Sequence, residues 1–293
     1  MTDNKLVAVA GATGAQGGAL TRRLLQRGHQ VHALVRAPKS EAAVALASAG
    51  AEVVPSDFDD GSSLVRAMSG VDAAYLMATP FVPGGTDSEI RHGTTLVDAA
   101  VRAGVDHVVY SSVASADRGT RVPHFGSKYV VERYLRRSGA LWTVVAPTEF
   151  LDMVLAPWTL PGLAEGRIGV PVPGSIPRQL TAVDDLAAFA CLVIEDPDRF
   201  AGRRVEIASD VVTGDELAAA LTRAAGRTVG YVETPPSASY GRDLLAMFAF
   251  MRREGYRVDI DALHARYPEV GWHRVESWLS KQDWPALLGE GAA

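Results

Sequence analysis

At 293 residues the chain is long enough for one large α/β unit or two coupled domains, with a substantial buried core. A make-up of 47% hydrophobic and 22% charged residues excludes a disordered or fibrous protein, and 29 basic against 34 acidic side chains leave a net charge of -5, with no general positive field to hold nucleic acid. The single cysteine, Cys191, excludes an internal disulfide and a cysteine-built zinc site; between Ala190 and Leu192 it reads as a core thiol in a reducing cytoplasm, and no metal is expected.

Residues 1–5 run straight into an apolar segment without a basic leader or cleavage site, and no apolar stretch reaches the roughly 18 residues that cross a bilayer. A cytoplasmic protein with no membrane attachment is expected. Short aliphatic runs then alternate with amphipathic ones, which predicts strands at Leu6 to Ala10, Gln30 to Val35, Glu52 to Pro55, Ala73 to Met77, His107 to Tyr110 and Trp142 to Ala146. The helices between them are expected at Gln16 to Arg27, Lys39 to Ala49, Gly61 to Met68, Ser88 to Ala103 and Phe125 to Arg137. Gly28, Gly50, Gly70, Gly104 and Gly139 each follow one of these helices, where a left-handed residue is wanted. The pattern is that of an α/β protein, a Rossmann-type doubly wound parallel sheet.

After residue 150 five prolines, from Pro157 to Pro177, end the regular winding. A helix at Asp184 to Ile194 and a strand at Arg204 to Ala208 suggest a brief return to the first domain. The helix Leu217 to Ala225, behind a cap in Thr213 to Glu216, and the segment Tyr240 to Glu254 then point to a smaller, mostly helical C-terminal domain. The expected division is 1–150, with a return segment at about 181–208, against 151–180 and 209–293. The first part would bind the dinucleotide and the second a substrate or partner.

The first strand feeds Gly11-Ala-Thr13-Gly14-Ala15-Gln16-Gly17, a G-x-x-G-x-x-G turn that opens a helix. Gly11 permits the sharp turn, Gly14 lets backbone approach a pyrophosphate, and Gly17 allows close packing. The helix start then offers unpaired N–H groups and a positive dipole end to phosphates. At the end of the second strand, an acidic residue would select a ribose hydroxyl. The chain has Arg36, with Lys39 in what would be the first turn of the next helix, so NADP(H) is preferred over NAD(H). Asp57 and Phe58 end the third strand, placed either to border an adenine or, for Asp57, to make a turn. Ala78 and Thr79 end the fourth, at the edge where ligands of open α/β sheets lie.

Chemistry would fall near His124 and Lys128, four apart and on one helix face if the helix holds both. No tyrosine stands four residues before a lysine. His124 either replaces it as proton donor or is a first-turn residue without a task.

The runs Val9 to Gly17, Val35-Arg36, Val109 to Ser112, His124 to Lys128 and Ala146 to Phe150 together resemble the NmrA-like family of atypical short-chain dehydrogenase/reductases, most closely its HSCARG-type NADPH-sensor branch. The resemblance extends through Trp278 to Trp284. It implies that Gly11 to Gly17, Arg36, Lys39, Asp57, Phe58, Thr79, Arg91, Lys128, Thr148 and Phe150 line an NADP(H) cofactor. Two departures stand out: the Tyr-x-x-x-Lys pair of active reductases keeps only its lysine, and Ala146-Pro147 replaces the family's frequent Arg-Pro. The favoured reading is a redox-sensing regulator that responds to NADPH or NADP+ through a protein partner or a homodimer. The alternative is an NADPH-dependent oxidoreductase reducing a quinone or small carbonyl compound.

Overall fold

A computed structural model describes residues 4–289. The chain divides into two compact units, one holding the chain up to Pro147 together with Leu186–Glu206, the other Thr148–Asp185 with the chain from Ile207 onward.

In the first unit, strands β1 (Leu6–Ala10), β2 (Gln30–Val35), β3 (Glu52–Pro55), β4 (Ala73–Leu76), β5 (His107–Ser111) and β6 (Trp142–Pro147) alternate with helices α1 (Ala15–Gln26), α2 (Glu41–Ser48), α3 (Gly61–Ala67), α4 (Gly85–Ala103) and α5 (Pro123–Leu135). The strand Arg203–Ile207 returns beside β6, and the seven-stranded sheet runs Arg203–Ile207, β6, β5, β4, β1, β2, β3. All five glycines expected to stop helices have positive φ, from 73° at Gly104 to 103° at Gly50. Strands buried on both faces need helices on both sides, so the β1, β4 and β5 side chains Ala8, Leu76, Val108 and Tyr110 share a core with Leu96 and Val97 of α4 and Val131 and Leu135 of α5.

In this unit three helices start two or more residues from where the pattern predicts, each for a capping reason. Ser40 caps α2 by accepting from the Ala43 N–H at 3.3 Å, so Lys39 lies ahead of the helix rather than in its first turn. α4 begins at Gly85 because Gly84, at φ 89°, turns the chain in, while the Ser88 hydroxyl donates to the Pro83 carbonyl at 2.8 Å. Pro123 occupies the first position of α5, so both His124 and Lys128 are helical.

One core group makes stability depend on pH. His107 Nε2 donates to Thr143 Oγ1 at 2.9 Å, and that hydroxyl in turn donates to the Phe200 carbonyl at 2.8 Å. Nδ1 is buried without a partner among the described residues, and burial, with Lys5 nearby, holds the imidazole pKa down to about 4. The unfolded chain takes up this proton near pH 6.5 and the folded one only near pH 4, so stability is full above 6.5 and falls as pH drops between the two values. The expected loss is about 3 kcal/mol by pH 4. Urea unfolding at pH 7 and 4.5 should show this loss in the native chain and a clearly smaller one in His107→Gln; equal slopes would exclude His107 as the cause.

The second unit holds a three-stranded sheet, Asp210–Val212 beside Arg178–Thr181 beside Glu149–Phe150, and a two-stranded one, Gly230–Tyr231 with Arg167–Ile168. Strands of two to four residues are too short to show a period, which is why the sequence pattern omits them. The helix Gly214–Ala225 carries a full capping box between Thr213 and Glu216 and buries Leu217 and Leu221 with Leu180, Trp278 and Trp284. Among the described residues no helix is long and apolar enough to cross a membrane.

Candidate dinucleotide site

The sheet order reverses between β1 and β4, and the crevice beyond their carboxyl ends is where open α/β sheets take ligands. Gly11, at φ 65°, makes the turn out of β1, and a Cβ there would stand 2.7 Å from the Met77 sulfur. Gly14 is the N-cap of α1 and its N–H donates to the Gly11 carbonyl at 2.9 Å. Gly17 is the tightest position, because a Cβ would lie 2.4 Å from the Gly11 oxygen and 2.9 Å from the Ala12 Cα. The close packing is therefore helix against its own entry turn. Thr13, Gly14 and Ala15 are exposed, no side chain caps α1, and its first turn carries no acid. A turn of this kind leaves N–H groups facing solvent and fits a pyrophosphate.

Gln16 belongs to the turn in sequence, but its side chain faces the sheet, with Oε1 accepting from Tyr75 at 3.1 Å and Ser111 at 2.8 Å. It ties α1 to the ends of β4 and β5. Arg36 and Lys39 are exposed beyond β2, and neither makes an ion pair among the described residues. Asp57 is a turn residue whose Oδ1 accepts from the Asp59 N–H at 3.0 Å, while Asp60 caps α3. Phe58 stands edge-on to His92 at 5.8 Å. Arg91 donates to Asp59 at 3.0 Å, a hydrogen bond that, with His92, holds the Asp59 carboxyl below its usual range. The β3 end is thus a small cluster of ring, carboxylate and guanidinium.

Lys128 is fixed by α4 and the segment just after β4. Its Nζ donates to the Ala78 carbonyl at 3.0 Å and pairs with Glu89 at 2.8 Å, a carboxylate with no solvent exposure that also accepts from the Ser127 hydroxyl. Glu89, the partner of Lys128, is a candidate site residue that sequence reasoning passes over. The available signal is an acid on the buried stripe of α4, in line with Gly93, Leu96 and Ala100. His124 is 7% exposed and packs edge-on against Phe125 at 4.8 Å, with Phe81 at 6.3 Å. Thr79 Oγ1 accepts from the Phe81 N–H at 3.3 Å.

Of the other hydroxyls of this region, Ser112 donates to Glu132 and Ser111 to Gln16, whereas the Tyr110 hydroxyl is completely buried with no hydrogen-bond partner among the described residues, its phenol pushed well above the usual value by burial and by Glu89 and Glu132. Thr148 and Phe150 belong to the second unit, where the Thr148 hydroxyl bonds that of Thr181 at 2.8 Å.

A cluster the sequence reading does not anticipate joins His29, Cys191 and Glu195, whose ligand-type atoms lie within 4.8 Å of one another. The Lys5 N–H donates to His29 Nδ1 at 3.2 Å, so Nε2 carries the proton and donates to Glu195, which also takes Arg27. Burial pushes the Cys191 thiol up to about 12.

A sheet whose order reverses at a glycine turn feeding a helix defines the Rossmann-type α/β class. The chain belongs to the NmrA-like family, which it matches over residues 3–279. The NmrA-like family domain-containing oxidoreductase FrzB of Cladobotryum sp is 31% identical over 287 residues, covering 86% of this chain and 85% of that protein. Among solved structures, the negative transcriptional regulator NmrA in complex with NADP superposes with a TM-score of 0.80 at 23% identity, over 99% of this chain and 98% of that one. The same regulator has also been solved with NAD. The NADPH-dependent quinone oxidoreductase QOR2 of Escherichia coli, complexed with NADPH, gives 0.77 at 25% identity, over 94% and 98%.

Proposed function

We propose that this chain binds NADP(H) at the turn Gly11 to Gly17 and acts as an NADP(H)-dependent oxidoreductase on a small carbonyl or quinone compound. The observation that carries the reading is Lys128, an ammonium fixed at the end of β4 by Glu89 and the Ala78 carbonyl, with His124 one helical turn before it. Similarity to FrzB over most of both chains supports turnover, and moves the balance away from the regulator favoured by the missing tyrosine alone.

The bound cofactor would supply a hydride. The chain's own part is to hold the phosphates on the α1 N–H groups, to orient the ribose with Lys128, and to deliver a proton from the His124 imidazole. Arg36 and Lys39, both unpaired, suit a 2′-phosphate. NADPH oxidation followed against a panel of quinones, enones and aldehydes tests the reading, with turnover above background expected for at least one class. Silence across the panel would sink it.

A second reading, the NADPH-sensing regulator of the HSCARG-type branch, is favoured by one observation. Tyr75 and Tyr110, the tyrosines at the crevice strands, are both fully buried and cannot replace the missing donor. Cofactor occupancy would then change association with a partner or a second copy, which requires different affinities for the two states. Sizing the protein with NADPH and with NADP+ tests this reading independently of turnover.

Arg36→Ala is expected to weaken NADPH binding by about tenfold or more, the loss of a charge-assisted pair, and to leave NADH within about twofold. Equal weakening of both in titrations of cofactor fluorescence would remove Arg36 from the 2′-phosphate.

A further inference from the structure

The second unit carries an arginine on the core face of its small sheet. Side chains alternate along Arg178–Thr181, so Arg178 faces the same way as Leu180, a member of the apolar core. The parallel register sets Glu149 beside Leu180 on that face. Arg178 is 9% exposed, among the described residues its Nε and Nη1 have no hydrogen-bond partner, and its ion-pair contact is Glu149 Oε2 at 3.5 Å, an oxygen that is itself buried and unbonded among them. Leaving charged donors and an acceptor unmet is expensive, and a 3.5 Å contact does not repay it.

Tyr231, in the same unit, is tightly packed. A Cβ on Gly174 or Gly214 would come within 2.9 Å and 2.5 Å of the Tyr231 ring, and the Tyr231 hydroxyl donates to the Val172 carbonyl at 2.7 Å. Burial raises the Tyr231 phenol, Arg178 opposes that shift and Glu149 adds to it.

We propose that Arg178 and Glu149 form a ligand-anchoring pair that takes a neutral group with a carbonyl oxygen beside an N–H, a carboxamide in its simplest form. The carbonyl accepts from Arg178 and the N–H donates to Glu149. The pair is already electrically balanced, so a carboxylate would bring an uncompensated charge into an apolar surround. The anchor does not depend on turnover.

Benzamide and benzoate are the probes, read by the Arg178 Nε–Hε resonance of the full chain, assigned through its disappearance in Arg178→Met. Saturable shifts with benzamide, and binding of benzoate at least about tenfold weaker, are expected. Glu149→Gln removes the balancing charge and should invert the preference towards benzoate, a reversal that a purely structural pair would not produce. Spectra outside the site report that the variants fold. No saturable shift with either probe, or an unchanged preference in Glu149→Gln, overturns the proposal, as does a crystal structure of the benzamide-soaked chain in which only ordered water meets Arg178.

Discussion

Replacing Gly17 by valine is expected to raise the Kd for NADPH by about a hundredfold or more, with a loss of about 1–3 kcal/mol in stability. The first atom of any side chain would stand 2.4 Å from the Gly11 carbonyl oxygen and 2.7 Å from its carbon. Neither is the end of a flexible side chain; both are backbone of the turn. The turn must move, and with it the N–H groups proposed to hold the phosphates. Gly126→Ala is the matched control, since nothing lies within 4 Å of a Cβ at that helical position. It should bind as the native chain does and gain about 0.5–1 kcal/mol from helix propensity. Titration calorimetry with NADPH checks both. Native affinity in a folded Gly17→Val chain would remove the glycine turn from the binding site.

Arg204→Met is expected to cost about 3–5 kcal/mol, a fall in Tm of roughly 6–20 °C. Arg204 Nε donates to both oxygens of Glu132, at 3.3 and 3.0 Å, and Glu132 is completely buried. Its two terminal nitrogens donate to Glu206 at 2.8 Å and to the Val113 carbonyl at 2.9 Å, and Glu206 accepts from the Ser115 N–H at 2.7 Å. One guanidinium thus joins α5, the loop after β5 and the return strand Arg203–Ile207. Removing it leaves a carboxylate under the sheet with only Ser112 and Arg136 for company. Pairing the change with Glu132→Leu should recover much of the loss, because the buried charge goes too. Thermal unfolding of the two single variants and the double variant decides the matter. A loss below about 1 kcal/mol in Arg204→Met would mean the cluster is peripheral.

Much of the first unit was readable because its signals are local. A strand of five residues, a helix of twelve and a glycine at φ above zero each announce themselves within one βα unit, which is why β1, β2 and β3 match residue for residue. Helix starts were less legible. The expected start of α4 at Ser88 falls three residues late, because Gly84 and the Pro83 carbonyl decide where the helix begins. In the candidate dinucleotide site the glycine turn was legible by type and spacing, and Arg36 and Lys128 stand as candidates beside it. Gln16 was not, since its place in the turn says nothing of Tyr75 and Ser111 beneath it.

The amino-acid sequence by itself determined the Rossmann-type winding, the family, and the glycine turn with an arginine past the second strand, because each depends on residues close together in the chain. Only the tertiary structure decided which charges are buried and with whom. Glu89 and Lys128, Glu132 and Arg204, and Glu149 and Arg178 each look like solvated side chains in isolation. They become ion pairs because separate helices and strands press them together away from water, where a charge persists only with a partner.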